Sequence, residues 1–137
     1  MRFIGKIDIE LYSRCACSRI ITDEVVLTPN RAQHIIERRG QEFYDRYCDL
    51  FGVIVSDPDY VFQDSKKNTA LVSKMFVENG EAVNIVLRLA VEGDNPEYKN
   101  SIISAVKEGD SRFKQRLRNN SPVYIRGLPN ESPSIIL

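Results

Sequence analysis

Histidine occurs only once in these 137 residues, at His34, and net charge is absent, because 19 Lys and Arg balance 19 Asp and Glu. The zero balance removes the global basic excess by which a dedicated duplex-DNA binder neutralises phosphates. Any nucleic-acid contact must therefore come from local patches. No apolar run approaches the roughly 20 residues needed to span a bilayer. The first residues, MRFIGKIDIELYS, break their hydrophobicity with charge every second or third position. A secretion signal has a continuous apolar core instead. The expectation is a cytoplasmic protein with no membrane partner.

Cysteine is scarce and odd in number: Cys15, Cys17 and Cys48. Cys-Ala-Cys is not a zinc-knuckle spacing, and one histidine cannot complete a tetrahedral set. Reduced, buried thiols follow, with no metal and no cofactor expected. A phosphate-binding glycine loop, a G-x-S-x-G elbow, a paired Cys–His signature and a close carboxylate pair are absent too.

What is present reads as one domain over residues 1–137, with 42% hydrophobic residues to build a core. Phe3, Gly5, Ile7, Ile9 and Leu11 alternate with charge, the period of a strand. Ile20–Leu27 reads as a second, with Arg14–Ser18 between them, so residues 1–27 form a strand pair ahead of the main body. Thr28-Pro29 gives an N-cap and a first-turn proline for a helix that Gly40 ends. Phe43, Tyr47, Leu50, Phe51 and Ile54 repeat at three and four, a second helix closed by Asp57-Pro58. The period then returns to two. Tyr60–Gln63, Thr69–Val77 and Ala82–Val91 are strands, with Asp64–Asn68 as a charged turn. Asn79-Gly80 signals a two-residue hairpin. That turn sets Glu78 against Glu81, Phe76 against Val83, Lys74 against Ile85 and Val72 against Leu87. After the loop Glu92–Lys99 come a strand at Ile102–Lys107, a basic helix at Asp110–Arg118 capped by Asp110 or Ser111, and a last strand at Pro122–Arg126. The proline-interrupted tail, 128–137, is expected to be loosely ordered. The class is α+β: two helices on one face of a four- to five-stranded antiparallel sheet, the other face free for a ligand.

Cations stand out against this frame. Arg31, Arg38 and Arg39 surround His34, opposed only by Glu37; Arg112, Lys114, Arg116, Arg118 and Arg126 follow with only Asp110 nearby. A solvated helix face is the plain alternative. The hairpin register also puts Lys74 among Val72, Phe76, Val83, Ile85 and Leu87, where snorkelling to water is the plain alternative. One histidine with several cations, hydroxyls and no metal ligands suits one reaction, metal-independent RNA cleavage. There a 2′-hydroxyl attacks the adjacent phosphate to leave a 2′,3′-cyclic phosphate. An imidazole moves the proton, and Arg and Lys stabilise the phosphorane.

The succession ITDEVVLTPNRAQHIIERRG, VIVSDPDYVFQDSKKNTALVSKMFV and KNSIISAVK resembles a family of small phage and mobile-element proteins. These are assigned to the barnase/EndoU/colicin/RelE-like nuclease superfamily. The family pattern has H-I-x-x-R-H on a helix, P-D-Y followed by an acid, a strand lysine, and N-S-I-[IV]-T. The match spans residues 20–126. The resemblance implies a barnase- or RelE-like fold and a ribonuclease, phage-associated or toxin-like, acting on single-stranded RNA or tRNA, with a cognate inhibitor protein as a further partner. It implies His34, Lys74 and Ser104 as catalytic residues. Arg38, Arg39, Arg88, Asn100 and Ser101 are the expected substrate contacts. Pro58, Asp59 and Tyr60 fall on P-D-Y, and Asp64 on the later acid. Arg39 stands where the family often has a second histidine, and Ser104 where threonine is usual. A non-catalytic RNA- or protein-binding module of the same fold is therefore the alternative.

Overall fold

The computed structural model describes residues 1–76 and 80–127. Its elements are β1 (Arg2–Lys6), α1 (Ile9–Tyr12), β2 (Glu24–Leu27), α2 (Pro29–Arg39), α3 (Gln41–Tyr47), α4 (Phe51–Ser56), β3 (Tyr60–Gln63), β4 (Thr69–Phe76), β5 (Glu81–Arg88), β6 (Asn100–Gly109), α5 (Asp110–Asn119) and β7 (Tyr124–Ile125). The class is α+β as the sequence periods imply, but the sheet is larger than expected. Seven strands run in the order β1-β2-β6-β5-β4-β3-β7. The sheet is mixed, not antiparallel, because β2 and β6 run parallel, with Val25 beside Asn100 and Val26 beside Ser101. The N-terminal strands do pair, Arg2 opposite Leu27 and Lys6 opposite Glu24. They extend the main sheet instead of standing ahead of it.

Local signals explain where each element stops. β1 ends at Lys6, short of the alternation to Leu11, because Asp8 caps a helical turn: its Oδ1 accepts the Leu11 N–H at 3.3 Å. Only the last four residues of Ile20–Leu27 form β2, and Ile20 makes an isolated bridge to Val91. α2 begins as expected, with the Thr28 hydroxyl accepting the Arg31 N–H and Pro29 in the first turn, and it ends at Gly40, φ 97°. The single helix expected over Phe43–Ile54 is broken by a 3₁₀ turn at Cys48–Leu50. Phe43, Tyr47, Phe51 and Ile54 still face the core. The break turns α4 across β1 at a contact only glycine allows. A Cβ on Gly52 would lie 2.6 Å from the Ile4 carbonyl oxygen.

The β4–β5 hairpin keeps its faces but not its register. Phe76 pairs with Glu81, Lys74 with Val83, Val72 with Ile85 and Ala70 with Leu87. Each partner is two residues from the expected one, because four residues, not two, join Phe76 to Glu81. Asn79 lies outside the described residues. A shift of two leaves every side chain on its side of the sheet, so Lys74 does share a face with Val72 and Val83. That face packs on the helices through Val72, Val83, Ile85, Leu87 and Ile102 against Ile35, Phe51 and Ile54.

The outer face is not free. α5 lies on it and seats Phe113 over Phe62, Leu71 and Ala82. The Phe113 ring stands edge-on to Tyr60 at 5.0 Å and to Phe62 at 6.2 Å. The N-cap of α5 is Gly109, not Asp110 or Ser111, and makes no side-chain hydrogen bond. β7 is two residues long within the expected Pro122–Arg126. The tail 128–137 lies outside the described residues.

The Gly52 contact is testable. Gly52→Ala is expected to destabilise the fold by about 1–3 kcal/mol through overpacking against backbone. Urea unfolding should show a lower midpoint with an unchanged slope.

Candidate functional site

A bulge in β6 builds the site. Val86 pairs with Ser104 and Leu87 with Ile102, which leaves Ile103 unmatched. Ile102 and Ala105 are both buried, while Ile103 and Ser104 both line a cleft of about 410 Å³ beside Val86. Without the extra residue, alternation would send one of that pair into the core.

Cations enter this cleft from three elements: Arg31 from α2, Lys66 and Lys67 from the β3–β4 turn, and Arg88 from β5. Asp64 is the only carboxylate among its lining residues. The turn is locked. Asp64 accepts the Lys66 N–H at 3.2 Å, and the Thr69 hydroxyl donates to the Lys67 carbonyl at 2.9 Å. Asn68, buried, takes the left-handed conformation at φ 53°. Its side-chain oxygen accepts the Cys17 N–H at 2.7 Å and its carbonyl accepts the Leu89 N–H at 2.8 Å. Asparagine tolerates that conformation better than most residues. Arg88 is held by the Leu89 carbonyl and by Asp94, 3.4 Å away. The side chains of Arg31, Lys66 and Lys67 make no hydrogen bond or ion pair among the described residues.

The residues singled out by sequence are dispersed. Ser104 and Arg88 line this cleft. Lys74 lines a different one, of about 460 Å³, with Tyr60, Met75 and Ile125. Its ammonium donates to the Asp57 carbonyl at 2.7 Å and stands 3.7 Å from the Asp57 carboxylate. Arg126 shares that cluster, donating to Asp59 at 2.7 Å, and its hydrogen bond to Asp57 holds that carboxyl below the usual range. Lys74 leaves β4 on the helix side of the sheet, whereas Ser104 faces outward. His34 lines neither cleft. It is half-buried on α2, one turn beyond Arg31, with no hydrogen-bond partner among the described residues. Arg38 is exposed one turn further on. Arg39 donates from Nε to the Ala105 carbonyl at 3.0 Å, satisfying the β6 edge where β2 has ended. Asn100 is fully buried with its amide engaged: Nδ2 donates to Thr22 and Glu24 carbonyls, and Oδ1 accepts the Ala90 N–H. It has no group left for a substrate. Ser101 is half-buried between Val26 and Arg88 and lines neither cleft.

Sequence reasoning missed Lys66 and Lys67, although the Lys-Lys pair in a turn begun by Asp64 was there to read. It also missed a polar network under α5. The Ser73 hydroxyl donates to Asn84 Oδ1 at 2.7 Å, and Asn84 Nδ2 donates to Glu108 at 2.8 Å. Arg116 clamps Glu108 with two bonds of 3.0 Å. Burial pushes the Glu108 carboxyl up, but the hydrogen bonds from Arg116 and Asn84 outweigh it and leave the carboxyl below the usual range. Among the described residues no three His, Cys, Asp or Glu side chains are grouped to hold a metal ion. No helix of theirs is long and apolar enough to cross a membrane.

A carboxyl depressed in the folded state contributes stability above its unfolded value, near 4.3, and loses it as pH falls through the lower folded value. Glu108→Gln is therefore expected to destabilise the protein at pH 7 and to differ less from wild type as the pH drops below about 4. Urea midpoints at both pH values check this. Comparison of the chain with protein-family models, curated proteins and solved structures finds no match.

Proposed function

We propose that the outer-face cleft binds the sugar–phosphate backbone of single-stranded RNA. The supporting observation is that three cations without an ion-pair contact among the described residues, Arg31, Lys66 and Lys67, converge on one cleft in a chain of zero net charge. Like charges gathered this way repel one another, and an anion between them relieves the repulsion. The cleft volume, about 410 Å³, lies in the range of small-ligand pockets and suits one nucleotide of a strand, not a duplex. Ser104 and Asp64 offer partners to a ribose 2′-hydroxyl, which both donates and accepts. Val86 and Ile103 give it an apolar floor. The resemblance of the sequence to a nuclease family points the same way.

Cleavage of that RNA is the second reading, favoured by one observation: His34 stands one turn of α2 from Arg31. In that reading His34 moves the proton, Arg31 and Arg88 meet the phosphate, and Lys74 plays no part.

Two measurements separate the readings. Anisotropy of a labelled single-stranded RNA is expected to show salt-sensitive binding. Lys66→Ala with Lys67→Ala should weaken it about tenfold or more and lower the salt slope by about 0.7 for each phosphate no longer neutralised. Binding that ignores these substitutions refutes the proposal. Incubation with RNA in EDTA tests the second reading. Turnover to a 2′,3′-cyclic phosphate that vanishes in His34→Ala supports cleavage, and equal behaviour of the two proteins removes it.

A further inference from the structure

α5 leaves a second polar pocket, of about 230 Å³, between its exposed side and the end of β6. Arg112, Gln115, Arg116 and Asn119 line it at helical spacings of three and four, with Glu108 at its base. Glu108 is already engaged by Arg116 and Asn84. Arg112 makes no hydrogen bond or contact ion pair among the described residues, and neither do the amides of Gln115 and Asn119. Among the described residues the pocket thus presents one guanidinium and two amides without a hydrogen-bond partner, Arg112 being drawn to Glu108 only by longer-range attraction. All can donate to phosphate oxygens, and none of these three brings a competing carboxylate.

Its position matters as much as its chemistry. Ser104 in the cleft and Glu108 in this pocket lie on one strand, face outward together, and stand four positions apart along a regular stretch of β6. At about 3.3 Å per residue that is about 13 Å. Four nucleotides at the stacked spacing of about 3.4 Å per phosphate cover this distance, and fewer do when the strand is extended.

We infer that the α5 pocket is a second phosphate subsite for the same RNA strand, a few nucleotides from the cleft. This inference rests on the proposed RNA-binding role of the cleft. It makes binding length-dependent. A dinucleotide fills the cleft alone, while an oligonucleotide of about twelve residues, within the usual span of single-strand sites, reaches both.

The test uses the full chain with those two probes. Arg112→Ala combined with Asn119→Ala is expected to weaken the long RNA about tenfold, lower its salt slope by about 0.7, and leave the dinucleotide unchanged. Phe113 and Arg116 are untouched, so α5 stays docked, and an unchanged urea midpoint reports it. Lys114→Ala with Arg118→Ala, outside the pocket, is the control and should have the smaller effect. Wild-type affinity of the Arg112/Asn119 variant for the long RNA overturns the subsite and leaves the cleft reading standing. Equal weakening by the control pair also overturns it, since diffuse charge then suffices. If Lys66→Ala with Lys67→Ala alters binding of neither probe, the cleft reading falls and the subsite with it.

Discussion

The buried amide of Asn100 fixes the path of β6, and the site is arranged around that path. Three chain segments meet at this point: the approach to β2, the strand end after β5, and the start of β6. Asn100 itself pairs with Val25 in the backbone ladder. Its side chain adds two donors to the Thr22 and Glu24 carbonyls and an acceptor for the Ala90 N–H. Leaving such groups unpaired in the core would cost about 1–3 kcal/mol each. With β6 anchored, β2 runs parallel beside it for two residues and then gives way to α2. The Arg39 side chain completes that edge. The bulge follows within a few residues and turns Ile103 and Ser104 outward together. The cleft is thus a consequence of how β6 begins.

The cations are of two kinds. Lys74, Arg88, Arg116 and Arg126 each have a carboxylate partner. Two of these pairs hold elements together: Arg126 fastens β7 to the chain before β3, and Arg116 fastens α5 to β6. Surface pairs of this kind contribute little singly, but both are extended by hydrogen bonds to backbone or to Asn84. Arg31, Lys66, Lys67 and Arg112 make no ion-pair contact among the described residues, Arg112 acting on Glu108 only through longer-range attraction. All four border clefts on the outer side of the sheet, beside the paired Arg88 and Arg116. Net charge alone hides this division, since paired and unpaired cations count alike in a sum that comes to zero.

What the sequence disclosed and withheld follows the range of each interaction. The Thr28 cap, the Pro29 start and the Gly40 stop act within a turn, and α2 is where they put it. The apolar stripe from Phe43 to Ile54 identified the buried face but not the break at Cys48–Leu50, because the break answers to β1, far earlier in the chain, pressing on Gly52. The Asn79-Gly80 signal named the hairpin and missed its register by two. An even error spares the faces, so Lys74 was placed on the correct side of the sheet. Its partner Asp57 was invisible, since no local rule pairs a strand lysine with the residue that ends a helix. The parallel pairing of β2 with β6 joins Val25 to Asn100, distant in sequence, and has no local signature. The cleft needs α2, the β3–β4 turn and β6 together, so of the expected catalytic and substrate-contact residues only Ser104 and Arg88 reached it.

The lysines of the cleft differ from ordinary surface lysines in how their backbone is held. A free lysine loses up to about 2 kcal/mol of rotamer freedom on binding, and a mobile turn adds backbone ordering to that cost. Here the turn is ordered beforehand. Asp64, Thr69 and above all Asn68 hold it, Asn68 through bonds to Cys17 and Leu89, far away in sequence. Asn68 accepts an unusual backbone conformation to do so. The arrangement lowers the ordering cost of binding a ligand there. It also aims charge, since Lys66 and Lys67 both reach the cleft from this turn. That pattern supports the proposed hold on a phosphate backbone. Cleavage would require more: His34, one turn from Arg31 on α2, would have to come within hydrogen-bond reach of the reacting oxygen.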